Sequence, residues 1–424
     1  MTATAVILAG GKGTRSADPS RAKLSQQVGG RSLLEWHIDA LASTDVDQVL
    51  VVAGHLGQQV QALCDGIDGG GMDLRVIHES QQEGTVAALR LAADQAGSDR
   101  FLVILGDVLM SLPLQDFIDD WRASSASVAV AVHPSTHPMD SDTCFPRHDG
   151  SILVVPKGQP RDDVPNMSSA GLFAISGVAL ARYGHLRDMG SGVLPAAAQD
   201  DELFAYVTSH YLKDTGTPER LQDAEHDVQR GAFARRGSLY PRPALFLDRD
   251  GVINPALPEF YEPSGYTLIP GVGRAIGEAN RRGIPVIVLT NQPHIAKGFM
   301  TYEDHQRVRA RMDHLLHAEG AFVDDYFFCP HHPDRGFAGE VVDLKIACDC
   351  RKPGVGMALQ AARRHRLDLG GSVMVGDTEH DRGLARQTGM HYVHVDPACE
   401  DRDAPDCLPE PGSAVRRGIE VLGC

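Results

Sequence analysis

The sequence predicts an α/β protein made of two Rossmann-like three-layer domains in tandem. Two observations carry that reading. Strand-like runs at 3–8, 101–105, 244–247, 284–289 and 372–375 are short and largely apolar. Each gives way to Gly, Asp, Thr or Asn at or soon after its end, as buried parallel strands do when they deliver polar groups to the carboxyl edge of a sheet. The strand–loop–helix pattern also recurs on both sides of residue 230, and 424 residues suffice for two cores. The first domain is expected over 1–230 and the second over 244–396. Arg235-Arg236-Gly237-Ser238 and Pro241-Arg242-Pro243 mark a linker over 231–243, and a tail rich in Pro, Asp and Gly is expected to be irregular over 397–424.

In the first domain, the run 3–8 passes into Ala9-Gly10-Gly11-Lys12-Gly13-Thr14-Arg15. Closely spaced glycines let backbone N–H groups approach an anion, and Lys12 and Arg15 add the charge a triphosphate requires. The spacing is not that of a Walker loop, and a tight strand–helix turn is the alternative reading. Lys23 lies just downstream, and Leu33-Leu34-Glu35-Trp36 opens an amphipathic helix. The run 101–105 ends in Gly106-Asp107, and Lys213-Asp214-Thr215-Gly216-Thr217-Pro218 closes the set, so Asp107 and Asp214 are candidates to hold one Mg²⁺ between them.

This arrangement resembles the sugar-phosphate nucleotidyltransferases over residues 3–230, and among them the heptose 1-phosphate guanylyltransferases. The resemblance implies in-line attack of a sugar 1-phosphate on the α-phosphorus of a nucleoside triphosphate, with Lys23 and Arg15 offsetting charge. Gly10, Gly11, Gly13 and Gly84 would border the nucleotide, and Lys157 the sugar. Glu79 falls where the family places its base reader; an acceptor-only carboxylate suits the N1–H and N2–H₂ donors of guanine, which favours GTP, and a solvated strand-end Glu is the alternative. The chain departs from the family at Ala22-Lys23-Leu24, Pro156-Lys157 and Ser169-Ala170-Gly171, so the triphosphate side is kept better than the sugar side. A non-catalytic domain that binds nucleotide or sugar phosphate stays open beside an active transferase.

In the second domain, the run 244–247 delivers Asp248-Arg249-Asp250-Gly251, and 284–289 ends in Thr290-Asn291, a hydroxyl and an amide suited to phosphate oxygens. Next comes Cys329-Pro330-His331-His332 and, after a loop, Cys348-Asp349-Cys350. Two thiols one residue apart, with a thiol and an imidazole, suit tetrahedral Zn²⁺, and four protein ligands would make that ion structural. The loop leads into Arg351-Lys352, fixed positive charge. The run 372–375 ends in Gly376-Asp377-Thr378-Glu379-His380-Asp381, carboxylates suited to Mg²⁺.

This order resembles the haloacid dehalogenase superfamily of aspartate-nucleophile phosphatases over residues 243–396. The resemblance implies that Asp248 attacks phosphorus to form an aspartyl-phosphate, while Asp250 protonates the leaving alkoxide and then activates water. Asp248, the Asp250 carbonyl and Asp377 would hold Mg²⁺; Thr290, Asn291 and Arg351 would bind substrate, and Lys352 would complete the clamp. Asp381 either reaches the metal through water or caps the next helix. Within the superfamily the motifs look like the D-glycero-D-manno-heptose 1,7-bisphosphate 7-phosphatases, with the histidinol-phosphate phosphatases as close relatives. That branch makes His331 the expected zinc ligand beside Cys329, Cys348 and Cys350, with His332 the alternative. Pro293-His294 and Thr378 depart from the branch and bear on substrate preference. The two resemblances together imply consecutive steps toward a nucleotide-activated heptose.

A net charge of −16 argues against a nucleic-acid partner and leaves sugar phosphates and a nucleoside triphosphate as the expected ligands. No apolar run reaches the ~18 residues of a membrane span, and 3–8 lacks the length and flanks of a signal peptide, so a cytoplasmic enzyme with no membrane partner is expected. Cys64, Cys144, Cys399, Cys407 and Cys424 are scattered and imply no disulfide framework.

Overall fold

The computed structural model describes residues 3–11, 18, 20–256, 263–399 and 406–423. The chain forms two compact units: Met1–His133, His137–Gln159 and Met167–Gly237 in one, and Pro134–Thr136, Pro160–Asn166 and Ser238–Cys424 in the other.

In the first unit, β1 (Thr4–Leu8), β2 (Gln48–Ala53), β3 (Asp73–His78) and β4 (Arg100–Leu105) lie parallel in the order β3-β2-β1-β4. Every residue of β1 is buried, as an apolar run flanked by two parallel neighbours must be. After β5 (Val108–Ser111), the strands β6 (Val128–His133), β7 (Thr143–Pro146), β8 (Ile152–Val155) and β9 (Ser168–Ser176) extend the sheet, with β9 antiparallel to β4 and β6. β10 (Leu203–Val207) lies parallel to β6, and β11 (Tyr211–Asp214) pairs with β5 apart from the main sheet. The Leu33–Leu41 helix starts where the sequence placed it. Ser32 accepts from the Glu35 N–H while the Glu35 carboxylate takes the Ser32 N–H, a capping box, and Leu33, Leu34, His37, Ile38 and Leu41 form its buried face.

In the second unit, β12 (Leu245–Leu247), β13 (Val286–Asn291), β14 (Asp325–Cys329), β15 (Val373–Gly376), β16 (His391–Val395) and β17 (Cys407–Leu408) make one parallel sheet in the order β14-β13-β12-β15-β16-β17. Side chains alternate across it. Leu245 and Leu247 join Val272, Ile276, Val308 and Met312 on one face, while Ala244 and Phe246 join Met357, Ala361 and Leu384 on the other, giving three layers. Leu247 lies level with Val288 and Val375, so Asp248, Thr290 and Asp377 all emerge at one carboxyl edge.

The units divide between Gly237 and Ser238, inside the expected 231–243 linker, but that segment is not without structure. Its first half forms the Ala232–Arg236 helix, with the Phe233 ring 4.8 Å from both Trp36 and Tyr211. Arg242 is buried and bonded to the His365 and Arg366 region. Nor is the described part of the 397–424 tail irregular. The Pro411–Val421 helix buries Ala414, Val415 and Ile419 in the core with Val373 and Val375. Its Pro and Gly content is compatible with a helix, because Pro411 takes the tolerated first turn and a Cβ on Gly418 would come 2.8 Å from Leu245 Cδ1. That glycine serves helix–sheet contact, not a turn. A disulfide also joins Cys399 to Cys407, a pairing the scattered spacing did not suggest. No helix among the described residues is long and apolar enough to cross a membrane.

Candidate active site

Asp248, Asp377 and Asp381 each place a carboxylate oxygen within 4.8 Å of the others. Lys352, 2% exposed, lies among them: its Nζ is 2.9 Å from Asp248 Oδ1 and 2.6 Å from Asp381 Oδ1, and donates to the Leu289 carbonyl at 2.8 Å. Two buried acids and a half-buried one around one ammonium leave negative charge uncompensated. Burial pushes the Asp248 carboxyl up to about 7, with Lys352 opposing the rise and Asp381 adding to it. Burial, then Asp381, raises Asp377 as well. Asp377 Oδ1 is buried with no hydrogen-bond partner among the described residues. The set fits a hard divalent cation held by oxygen.

Asp381 caps the next helix and also faces the acid cluster. Its Oδ2 accepts from the Thr378 N–H at 3.1 Å and hydroxyl at 2.6 Å, capping the Glu379–Thr388 helix, while Oδ1 holds Lys352. Gly251, at φ 83°, turns the chain just past the two acids, and a side chain there would collide with Asp377.

Asp250 stands outside that group of carboxylates. Arg249 Nη2 donates to both its oxygens, Asn254 Nδ2 to Oδ1 at 2.9 Å, and Gln292 Nε2 to Oδ2 at 2.9 Å. Burial would raise this carboxyl, but the Arg249 charge and these donors outweigh it and hold it below the usual range. Thr290, 1% exposed, is bridged to Asp250 through the same Gln292 nitrogen, 2.8 Å from its hydroxyl. Asn291, expected at the phosphate, instead engages the Lys352 backbone at both ends, accepting from its N–H at 2.9 Å and donating to its carbonyl at 3.1 Å. It braces the lysine, because at the end of β13 its side chain meets the Lys352 peptide.

The sulfur clip is assembled as expected. Cys329, His331, Cys348 and Cys350 converge, with Sγ–Sγ separations of 3.1, 3.3 and 3.5 Å and His331 Nδ1 at 3.2 and 3.6 Å from Cys350 and Cys329. Zn–S bonds of about 2.3 Å in a tetrahedron set sulfurs about 3.8 Å apart, so these sulfurs would open by a few tenths of an ångström to take the ion. Burial, then the Cys348 contact, pushes the Cys350 thiol up to about 11. His332 turns elsewhere: its Nδ1 accepts from the Asp334 N–H. Arg351 Nη1 lies 3.4 Å from the His331 carbonyl, tying that cation to the clip.

In the first unit, Lys23 forms an ion pair with Asp107, and a Cβ on Gly216 would lie 2.9 Å from Asp214 Oδ1 and 3.0 Å from Asp107 Oδ2, so both acids border one glycine. Arg220 pairs with both Asp214 and Asp140. Gly11 lies near Lys23, and a Cβ on Gly10 would lie 2.6 Å from Glu79 Oε2. Burial and Glu83 raise the Glu79 carboxyl. Gly84 begins the Thr85–Ala93 helix at φ 116°, backed by the Arg187 carbonyl. Lys157 donates its backbone N–H to Asp142 Oδ1. Lys12, Gly13 and Arg15 lie outside the described residues. Sequence reading gave no role to Arg249, Asn254, Gln292 or Arg220. The first three stand inside the Asp248–Asn254 and Thr290–Gln292 motifs, so proximity to the motif was the available signal.

An acid–lysine site at a parallel sheet edge is what a phosphatase of the haloacid dehalogenase type requires, and the first unit is similar to NTP-transferase domains. Residues 349–409 match the HAD-hydrolase-like family model, and residues 5–202 match the MobA-like NTP transferase domain. A D-glycero-beta-D-manno-heptose-1,7-bisphosphate 7-phosphatase from Yersinia pestis is 40% identical over 143 residues, 34% of this chain and 74% of that one. A D-glycero-alpha-D-manno-heptose-1,7-bisphosphate 7-phosphatase from Burkholderia mallei is 35% identical over 179 residues, 42% of this chain and 91% of that one. The crystal structure of D,D-heptose 1,7-bisphosphate phosphatase from B. bronchiseptica, complexed with magnesium and phosphate, is 28% identical, covering 42% of this chain and 98% of that one with a TM-score of 0.36. Through its second unit the chain belongs to the D-glycero-D-manno-heptose-1,7-bisphosphate 7-phosphatase family.

Proposed function

We propose that the second unit hydrolyses the 7-phosphate of D-glycero-D-manno-heptose 1,7-bisphosphate and that the first transfers a nucleotidyl group, from GTP by preference, to the heptose 1-phosphate produced. The observation that carries the phosphatase reading is the Lys352 ammonium between Asp248 and Asp381 with the unpartnered Asp377 oxygen alongside. An Asp248 oxygen bonds to phosphorus as the bond to the sugar oxygen breaks, and Asp250 gives that oxygen a proton. Asp250 then takes a proton from the water that displaces Asp248 and frees inorganic phosphate. Thr290 contacts the transferring phosphoryl oxygens, Lys352 holds the nucleophile, and Arg351 faces the rest of the substrate. Bound by Asp248, the Asp250 carbonyl and Asp377, Mg²⁺ would supply the charge that lets one anion approach another. Zn²⁺ in the sulfur clip would fix the loop that carries Arg351 and Lys352.

For the first unit, the pairing of Lys23 with Asp107 and the shared border at Gly216 support a triphosphate and Mg²⁺ site, to which Arg15 would add charge. The contact of Glu79 with Gly10 supports its role as guanine reader. The product of one reaction is the acceptor class of the other, and a triphosphate-dependent reaction fits a cytoplasmic setting. Phosphorus NMR tests both: the chain is given the α or β bisphosphate with Mg²⁺, then each of four nucleoside triphosphates. Loss of the 7-phosphate signal followed by pyrophosphate, fastest with GTP, is expected. Phosphate release with no pyrophosphate from any nucleotide would leave a phosphatase with a binding domain.

A further inference from the structure

Arg249 lies between the two acids that do the chemistry and takes part in neither step. It is 3% exposed, and a guanidinium so buried is retained only where acceptors surround it. Its Nη2 donates to Asp250 Oδ1 and Oδ2 at 2.8 and 2.7 Å, and Nε reaches Oδ1 at 3.2 Å. The other arm, Nη1, donates to the Tyr326 hydroxyl at 3.3 Å, and that hydroxyl is 3.0 Å from His305 Nε2. Burial, then the Arg249 charge, keeps the His305 ring well below the ordinary imidazole range. A neutral ring offers an acceptor, so the Tyr326 O–H, whose oxygen already receives Arg249, donates to it. The chain of contacts runs from His305 through Tyr326 and Arg249 to Asp250.

The other side of Asp250 is braced as well. Asn254 donates to Oδ1 while its own oxygen accepts from the Tyr266 hydroxyl at 2.9 Å, and Gln292 links Oδ2 to Thr290. Adjacent strand residues normally face opposite sides of a sheet. Arg249 and Asp250 meet where the chain leaves β12 for the turn at Gly251, so the contact is a product of that turn.

We propose that Arg249 is the positioning residue of Asp250: its arm, anchored on Tyr326 and His305, fixes the orientation in which the Asp250 carboxyl meets the leaving oxygen. The proposal rests on the acid–base role given to Asp250 above.

Single-turnover phosphoryl transfer to the full-length enzyme with Mg²⁺ tests it on two esters. The heptose bisphosphate expels an alkoxide that needs a proton, whereas p-nitrophenyl phosphate expels a phenolate that does not. Arg249→Met should slow the alkyl ester roughly 100-fold, within the range of general acid catalysis, and the aryl ester less than roughly threefold. Tyr326→Phe should show the same pattern at about tenfold on the alkyl ester, and it carries the test if Arg249→Met does not fold. Asp250→Asn is the control: without leaving-group dependence in that variant, the acid role of Asp250 is itself wrong. With that dependence present, equal slowing of both esters by the Arg249 and Tyr326 variants, or no slowing, overturns the positioning role.

Discussion

Both candidate sites set a lysine against an aspartate at the carboxyl ends of parallel strands, but the two lysines live in different solvents. Lys352 is sealed at 2% exposure and holds two carboxylates and a carbonyl, whereas the Lys23 side chain is 21% exposed and holds Asp107. Electrostatics are stronger where water is excluded, so the second site is built for charge compensation at a fixed point and the first for a ligand that arrives with its own charge. The same pair of residue types thus serves as structure and machinery in one unit and chiefly as machinery in the other.

The largest expected effects come from breaking one site and leaving the other. Asp248→Asn should lower phosphate release from the bisphosphate by at least roughly 10³-fold, because an amide is no nucleophile, and leave pyrophosphate formation from supplied heptose 1-phosphate unchanged. Asp107→Ala should do the reverse, since the two acids belong to separate cores. Assaying both products for both variants checks this, and coupled losses would mean the sites are not independent.

Removing each lysine tests the solvent difference itself. Lys352→Ala leaves Asp248 and Asp381 buried without their cation and should cost the second unit about 3–5 kcal/mol in denaturant unfolding. Lys23→Ala, at a more open pair, should cost the first unit less than about 1 kcal/mol. Similar losses would erase the distinction.

How much of this was legible in sequence follows the same divide. Asp248, Thr290 and Asp377 were readable because each sits just past a strand whose register is set by burial. The sulfur clip was readable from chemistry alone, since Cys and His at that spacing have few other uses. Side chains whose direction is set by a turn were not readable. Asn291 turns onto Lys352, and Arg249 turns onto Asp250, for reasons that live in backbone torsions after the strand. The Pro411–Val421 helix was hidden because Gly418 looks like a breaker until the Leu245 side chain beneath it is seen. In the first unit Arg220, which joins Asp214 to Asp140, carries no motif.

A smaller effect sharpens the comparison from the side of the first unit. His37 is fully buried against the Val108 carbonyl, and burial lowers its pKa to about 4. The folded unit therefore keeps the ring neutral where the unfolded chain, near 6.5, would protonate it. This stability is complete above about pH 6.5 and is lost as pH falls toward 4, on the order of 3 kcal/mol in total. His37→Gln should flatten that part of the acid-stability curve of the first unit. An unchanged slope would show that another group sets it.

The smallest effect concerns the clip. Elemental analysis should find one zinc per chain, and Cys348→Ser should lose it, with kcat/KM for the phosphatase lowered about tenfold through the loop that carries Arg351. Zinc-free protein of full activity would separate the clip from the site.

The most direct test of the covalent phosphatase is to trap its intermediate. Asp250→Asn protein mixed with p-nitrophenyl phosphate, whose leaving group needs no proton, and Mg²⁺, then reduced with borohydride and digested, should show by mass spectrometry a homoserine in place of aspartate at position 248, since an acyl phosphate is reduced where a carboxylate is not. An unmodified Asp248 in protein that still turns over, or a reduced residue elsewhere, would contradict the account.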